Sequence, residues 1–153
     1  MTSVLLWAII GFAAWYLAAH PYERLLGSIA WDFFPQKEVF LALKDHVFSI
    51  GLTGGGDTPL PQLTLISHNF GFGLVVTGSV ILGTRERSWG LRFIGLCCAW
   101  LILLLTQAGL LAAAAYTYLV AASQSEIPLG FSLFVKSVHP IVVILPIVII
   151  VLW

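Results

Sequence analysis

The side chains best suited to bind a metal ion or a haem in this sequence are its four histidines, His20, His46, His68 and His139. Three of them lie close to the ends of different predicted membrane spans, where imidazoles from separate helices can share one ligand. We expect His68 and His139 to be the best placed pair. We favour the interpretation that the histidines lie at the membrane interface without a ligand, because no Glu-x-x-His or His-x-x-x-His spacing favours ligation.

Two adjacent cysteines, Cys97 and Cys98, lie inside an apolar run. A thiolate becomes a nucleophile when a nearby cation stabilises it, and Arg92 precedes them by about one and a half helical turns. Lipid around a thiol opposes its ionisation, so we expect a packing role, with lipid attachment as an alternative. A membrane thiol enzyme working through Cys97 or Cys98 stays a third hypothesis, which impermeant thiol labelling tests.

Gln107 is the one amide deep in the third apolar run, and we expect it to hydrogen-bond across helices. No acidic residue lies well inside a predicted span, so the sequence offers no candidate for a carboxylate proton relay. Paired carboxylates and phosphate-binding loops are absent as well. We therefore predict no catalytic residue, no cofactor and a protein that is not itself an enzyme.

The composition predicts that membrane-spanning helices carry these residues. Of the 153 residues, 59% are hydrophobic and 9% are charged, against about 25% charged in soluble domains. A formal net charge of zero with no basic tract excludes nucleic-acid binding as the main activity. Runs without charge cover 1–22, 58–84, 93–125 and 137–153, and a helix needs roughly 20 apolar residues to cross a membrane.

We therefore predict an all-α integral membrane fold, with a single membrane domain over 1–153 and four transmembrane helices. The predicted spans are 3–19, 64–84, 93–118 and 130–153. The first is expected to end at His20-Pro21, because proline interrupts helical hydrogen bonding. A cleaved signal peptide over 1–19 is the alternative for this run.

The segment 20–62 carries most of the charged side chains and is predicted to lie outside the bilayer. Leu25, Ile29 and Phe33 repeat every four residues, which is typical of a short helix lying in the interface. Further on, 47–52 and 60–65 flank a turn-rich stretch and predict a small β-hairpin.

Orientation follows from the arginines of the 85–92 turn, because short cytoplasmic loops are enriched in Lys and Arg. With four spans, both termini are then expected in the cytoplasm and segment 20–62 on the outer face. The expected location is the inner (plasma) membrane of a bacterium.

Small and polar residues within the spans are our candidates for packing against a partner, because they let helices approach closely or bond to each other. They are Gly71, Gly73, Gly78, Gln107, Gly109 and Ala113. The favoured hypothesis is a non-catalytic subunit or accessory protein beside a larger membrane protein or complex. The alternative is a haem- or metal-binding redox subunit that uses His68 and His139.

Four ordered features resemble a known family. They are the first span with Gly11-Phe12-Ala13-Ala14-Trp15-Tyr16-Leu17-Ala18, the outer segment of helix then extended chain, the second span opening Asn69-Phe70-Gly71-Phe72-Gly73-Leu74, and the arginine turn followed by the helix with Gln107. Together they resemble the small exosortase-associated membrane proteins, particularly the exosortase H-associated kind. The resemblance implies an accessory protein for a sorting transpeptidase that processes C-terminal anchors at the outer membrane face.

Overall fold

The computed structural model describes residues 2–33, 39–52, 63–66, 68–84, 87–122 and 129–153. Within these ranges the chain is mostly helical, with four helices and one small sheet. The elements in chain order are α1 (Thr2–Asp32), β1 (Val39–Lys44), β2 (Val47–Leu52), β3 (Leu63–Ile66), α2 (His68–Gly83), α3 (Trp89–Ala122) and α4 (Leu129–Leu152).

Of the helices in the described residues, two are long and apolar enough to cross a membrane, Ser3–Asp32 and Trp89–Ala121. Gly71–Gly83 and Lys136–Leu152 are apolar but shorter. The finding agrees with a helical protein that associates with a membrane. Four spans and the direction in which they cross stay predictions.

α1 is one continuous helix of 31 residues with Pro21 inside it, so the predicted helix end at His20-Pro21 is wrong. Proline removes one backbone hydrogen bond, but packing of the following turns outweighs that loss. Leu26 and Ala30 are fully buried in the core that α1 shares with α3 and the sheet. The interfacial helix predicted around Leu25 is the continuation of α1.

The sheet is antiparallel with the strand order β1-β2-β3. Asp45 and His46 join β1 to β2 with φ angles of 50° and 62°, the backbone of a two-residue type I′ turn. The predicted hairpin is confirmed in its strands, since Phe48 of β2 pairs with Leu65 of β3. The turn predicted between these two strands lies outside the described residues, and β1 was not predicted.

One face of the sheet builds the main core. Val39, Phe48 and Ile50 are fully buried, and they pack in one cluster with side chains of α1 and α3 that include Leu111 and Ala115. This core fixes the sheet on the last turns of α1 and the second half of α3. We call this part of the bundle the sheet end.

At the opposite end of the bundle, Arg92 donates to the carbonyl oxygens of Arg87 (2.8 Å) and Leu82 (3.3 Å), with its guanidinium 4.8 Å from the Trp89 ring centroid. Arg87 lies over the ring of Trp153 at 5.1 Å. These contacts join α2, α3 and the end of α4. We call this region the arginine end.

Candidate functional site

A partly open cavity of about 540 Å³ lies between α1, α2 and α3, and we call it the groove. Residues on its walls include Gly11, Ala14, Ala18, Val75, Gly78 and Leu101. Its volume falls within the range of pockets that hold a ligand or a partner's side chains. We therefore treat the groove as the candidate binding site.

The groove exists because α1 and α3 touch at its two ends. At the arginine end Trp7 meets Trp89 edge to face, with ring centroids 6.3 Å apart. Toward the sheet end the Tyr22 hydroxyl donates to Oε1 of Gln107. Fifteen residues of α1 separate Trp7 from Tyr22, which corresponds to about 22 Å of helix. Over this length α2 forms the floor of the groove with Val75, Gly78 and Ser79 among the lining residues.

The two hydroxyl groups on the groove walls and the indole of Trp100 are paired inside the protein. Ser79 donates its hydroxyl to the Val75 carbonyl at 2.6 Å, and the Trp100 indole donates to the Leu74 carbonyl at 3.3 Å. Tyr22 is paired with Gln107. A polar occupant would leave its own groups unsatisfied there, so the chemistry of the walls selects an apolar one.

A second cluster lies at the sheet end, where Glu23 of α1 meets His46 of the β1–β2 turn. Nδ1 of His46 lies 2.9 Å and 2.8 Å from the two carboxylate oxygens of Glu23. Glu23 is 2% exposed. The ring centroid of His20, one turn earlier on α1, lies 6.3 Å from that of His46. This contact ties the turn of the sheet to α1.

The structure brings together His20 and His46, the pair that the sequence analysis did not favour. His68 and His139 belong to α2 and α4, but their side chains lie outside the described residues. In the part of the chain that is described, no group of three His, Cys, Asp or Glu side chains is arranged to hold a metal ion. A haem or metal site at His68 and His139 therefore stays a prediction.

The cysteines and the Glu23–His46 pair are far apart along the bundle. Cys97 and Cys98 are free and exposed on α3, and Cys97 lines the groove. Tyr22, which precedes Glu23 on α1, bonds to Gln107 of α3. Gln107 follows Cys97 by ten residues, so about 15 Å of helix separates the cysteine from the level of Glu23. A thiol enzyme needs its base within hydrogen-bond reach of the sulfur, so this imidazole cannot serve Cys97.

The predicted packing residues divide into internal and accessible positions. A methyl group on Gly71 would clash with the Trp15 indole, and one on Gly73 would lie 2.7 Å from Pro146 Cγ. Both glycines therefore pack helices of this chain. Gly78 is buried where it borders the groove, and a methyl group there would lie 3.3 Å from Leu96 Cδ1 of α3, whereas one on Gly109 would have nothing within 4 Å.

The predicted polar position is also internal. Gln107 is 2% exposed and bonds to Tyr22 across helices, in the way that its depth in the third run led us to expect. Ala113 is half-buried on α3, and its carbonyl accepts from the Thr117 hydroxyl at 2.6 Å.

Sequence reasoning missed Glu23 and Tyr22 as partners of distant residues. The spacing of His20 and Glu23 was the available signal, because residues three apart share one side of a helix. Nothing in the sequence marks His46 as their neighbour.

No family model, no curated protein and no solved structure matches this chain.

Proposed function

We propose that this chain is a non-catalytic membrane subunit that packs a helix of a larger membrane protein into the groove. The observation that carries the proposal is an apolar cavity whose two hydroxyl groups are already bonded within the chain. An occupant gains from apolar contact there and has no unpaired hydroxyl to satisfy.

The shape of the groove favours a helix as the occupant. Gly11, Ala14 and Ala18 follow one another at intervals of three and four along α1, so they form one small-residue stripe. Small residues let the backbones of two membrane helices approach closely. Bulky side chains at the edges, such as Leu101 and Trp100, remain about half exposed and would flank the incoming helix.

The proposed partner class is a sorting transpeptidase of the exosortase kind, and it rests on the resemblance of the first three spans and the outer segment alone. In the proposed orientation the arginine end faces the cytoplasm and the sheet end faces outward, because Arg87 and Arg92 lie close together at the start of α3. The segment around the sheet would then meet the partner's outer surface. The proposed location is the bacterial inner membrane.

The experiment compares Ala14→Leu with Ala13→Leu. Both alanines are exposed neighbours on α1, but Ala14 lines the groove and Ala13 is not among its lining residues. Tagged proteins are extracted from native membranes in mild detergent, and bound proteins are quantified by mass spectrometry. We expect Ala14→Leu to reduce partner recovery about tenfold through overpacking, and Ala13→Leu to leave it unchanged.

Two results would overturn the proposal. One is a wild-type chain that leaves its native membrane without any stoichiometric membrane protein. The other is equal recovery with Ala14→Leu and Ala13→Leu, which would mean that the groove is not the contact. A visible absorption spectrum of the same eluate tests the alternative of a haem-binding subunit.

A further inference from the structure

The outer edge of β1, on the side away from β2, has a defined set of hydrogen-bonding groups. Because Asp45 and His46 form a two-residue turn, Lys44 and Val47 exchange hydrogen bonds across it. Every second residue of β1, counted back from Lys44, therefore bonds to β2. Ala42 and Phe40 bond to β2 in this register. Leu43, Leu41 and Val39 therefore point their N–H and C=O groups away from β2.

Within the described ranges, no strand lies beside that edge, because the sheet order is β1-β2-β3. At the other edge of the sheet, the same alternation continued across β2 leaves the backbone groups of Thr64 and Ile66 pointing away from β2. The outer edge of β1 offers three residues, at every second position, each with both a donor and an acceptor. An extended polypeptide is the structure whose backbone groups repeat at that spacing.

The position of β1 is fixed before any partner arrives. The contact of Glu23 with His46 holds the turn that follows β1. Leu41 packs over Gly27, since a methyl group added to Gly27 would lie 4.0 Å from Cδ2 of Leu41. The side chain of Val39 is fully buried. A strand held at three points loses little conformational entropy when another strand pairs with it.

We propose that the outer edge of β1, beside which the described ranges place no strand, binds an extended segment of the partner polypeptide by strand addition. This inference rests on the proposed function and names how the sheet end would contact the larger protein. The new strand would extend the sheet next to α1, where Arg24 and Trp31 occupy the side of the helix away from Tyr22 and α3. Main-chain hydrogen bonds supply the recognition, and alternate apolar side chains of the segment extend the buried face.

A second copy of the chain is the less suitable occupant. Leu41 lies at Gly27 and His46 at Glu23, so β1 runs antiparallel to α1 along the bundle. Two copies that cross a membrane in the same direction would present their β1 strands in parallel. They could not form the antiparallel edge-to-edge pair that two identical hairpin edges would otherwise make.

The test is amide hydrogen exchange, resolved by residue, on the wild-type protein alone in detergent and in its native-membrane complex. We expect the amides of Leu41 and Leu43 to exchange at least about tenfold more slowly in the complex. Ala42 should be protected in both samples, because its amide bonds to β2. Thr64, at the opposite edge, should not change.

A matched pair of variants extends the test. Leu41→Pro removes an outward N–H of β1, and Thr64→Pro removes one of β3, and in both cases the bonds to β2 remain. We expect Leu41→Pro alone to abolish the added protection at Leu43. Protection of Ala42 serves as the check that each variant retains the sheet.

The outcomes separate this inference from the proposed function. A complex without added protection at Leu41 and Leu43 overturns strand addition and leaves the proposed function standing. Protection that rises with protein concentration in detergent alone overturns it in favour of self-pairing. If the Thr64 amide gains as much protection in the complex as those of Leu41 and Leu43, the inference is also overturned, because binding would then not be specific to the edge of β1. Absence of any complex overturns the proposed function and the inference together.

Discussion

α1 has two different surroundings along its length, and the comparison separates folding from binding. From Tyr22 to Ala30 its inner side is covered by α3 and the sheet, and Leu26 and Ala30 are fully buried. From Trp7 to Ala18 it borders the groove, where Ala14 and Ala18 remain exposed. The covered part supplies apolar burial that stabilises the fold, and the open part leaves apolar surface for another molecule.

The largest loss of stability is expected in the core that covers α1 from Tyr22 to Ala30. Phe48→Ala should lower the free energy of unfolding by about 3–5 kcal/mol, because a fully buried ring leaves a cavity. Leu101→Ala, in the groove wall at 56% exposure, should cost less than about 1 kcal/mol. Unfolding in mixed micelles, followed by tryptophan fluorescence, measures both. Equal losses would contradict the comparison.

A smaller effect is expected where α1 meets α2. Gly71→Ala should cost about 1–3 kcal/mol, because the added methyl group overlaps the Trp15 indole and the helices must separate. Gly109→Ala is the control, since nothing lies within 4 Å of the new methyl group. It should stabilise α3 by about 0.5–1 kcal/mol through helix propensity. Thermal unfolding should move these two variants in opposite directions.

The contact between α1 and the sheet turn predicts a loss of about 1 kcal/mol for Glu23→Gln, because a neutral amide accepts a weaker hydrogen bond from His46 than a carboxylate does. Asp32→Asn, at the exposed end of α1, is the matched control and should change stability by less than about 0.5 kcal/mol. Exchange of the Ala42 amide reports the effect on the hairpin. An unchanged rate in Glu23→Gln would show that the contact does not hold the turn.

The smallest effect compares two hydroxyls. Thr77 of α2 is fully buried, and its Oγ1 has no hydrogen-bond partner among the described residues. Thr77→Val should therefore stabilise the protein by about 1 kcal/mol. Thr117→Val removes a hydroxyl that donates to the Ala113 carbonyl at 2.6 Å, so it should be neutral or slightly destabilising. Urea titration in micelles distinguishes a gain from a loss, and a loss in both would refute the assignment.

The helices and one hairpin could be predicted from local pattern. Long apolar runs predict α3, and the turn-rich stretch before Leu63 predicts the pairing of β2 with β3. β1 was missed because Val39-Phe40-Leu41-Ala42-Leu43 is apolar at every position and shows no alternation. The continuity of α1 was missed because tertiary burial after Pro21 outweighs the local rule for proline.

The candidate site was less accessible to sequence reasoning than the fold. The role of Gln107 could be predicted, because a lone amide in an apolar run seeks a partner. Its partner, Tyr22, lies 85 residues away, and the two residues meet only through the crossing of α1 and α3. The groove is likewise a product of that crossing, since its small residues look like any others in an apolar helix.

Pro21 lies between the part of α1 that borders the groove and the part that is covered by α3 and the sheet. Proline has no amide hydrogen, so the Leu17 carbonyl lacks its helical donor, and the helix bends most easily there. Before Pro21 the helix is held by α2, through the contact of Trp15 with Gly71, and by α3, through the contact of Trp7 with Trp89. After Pro21 it is held by the sheet, so the two parts of α1 are anchored to different elements on either side of the residue where the helix bends most easily.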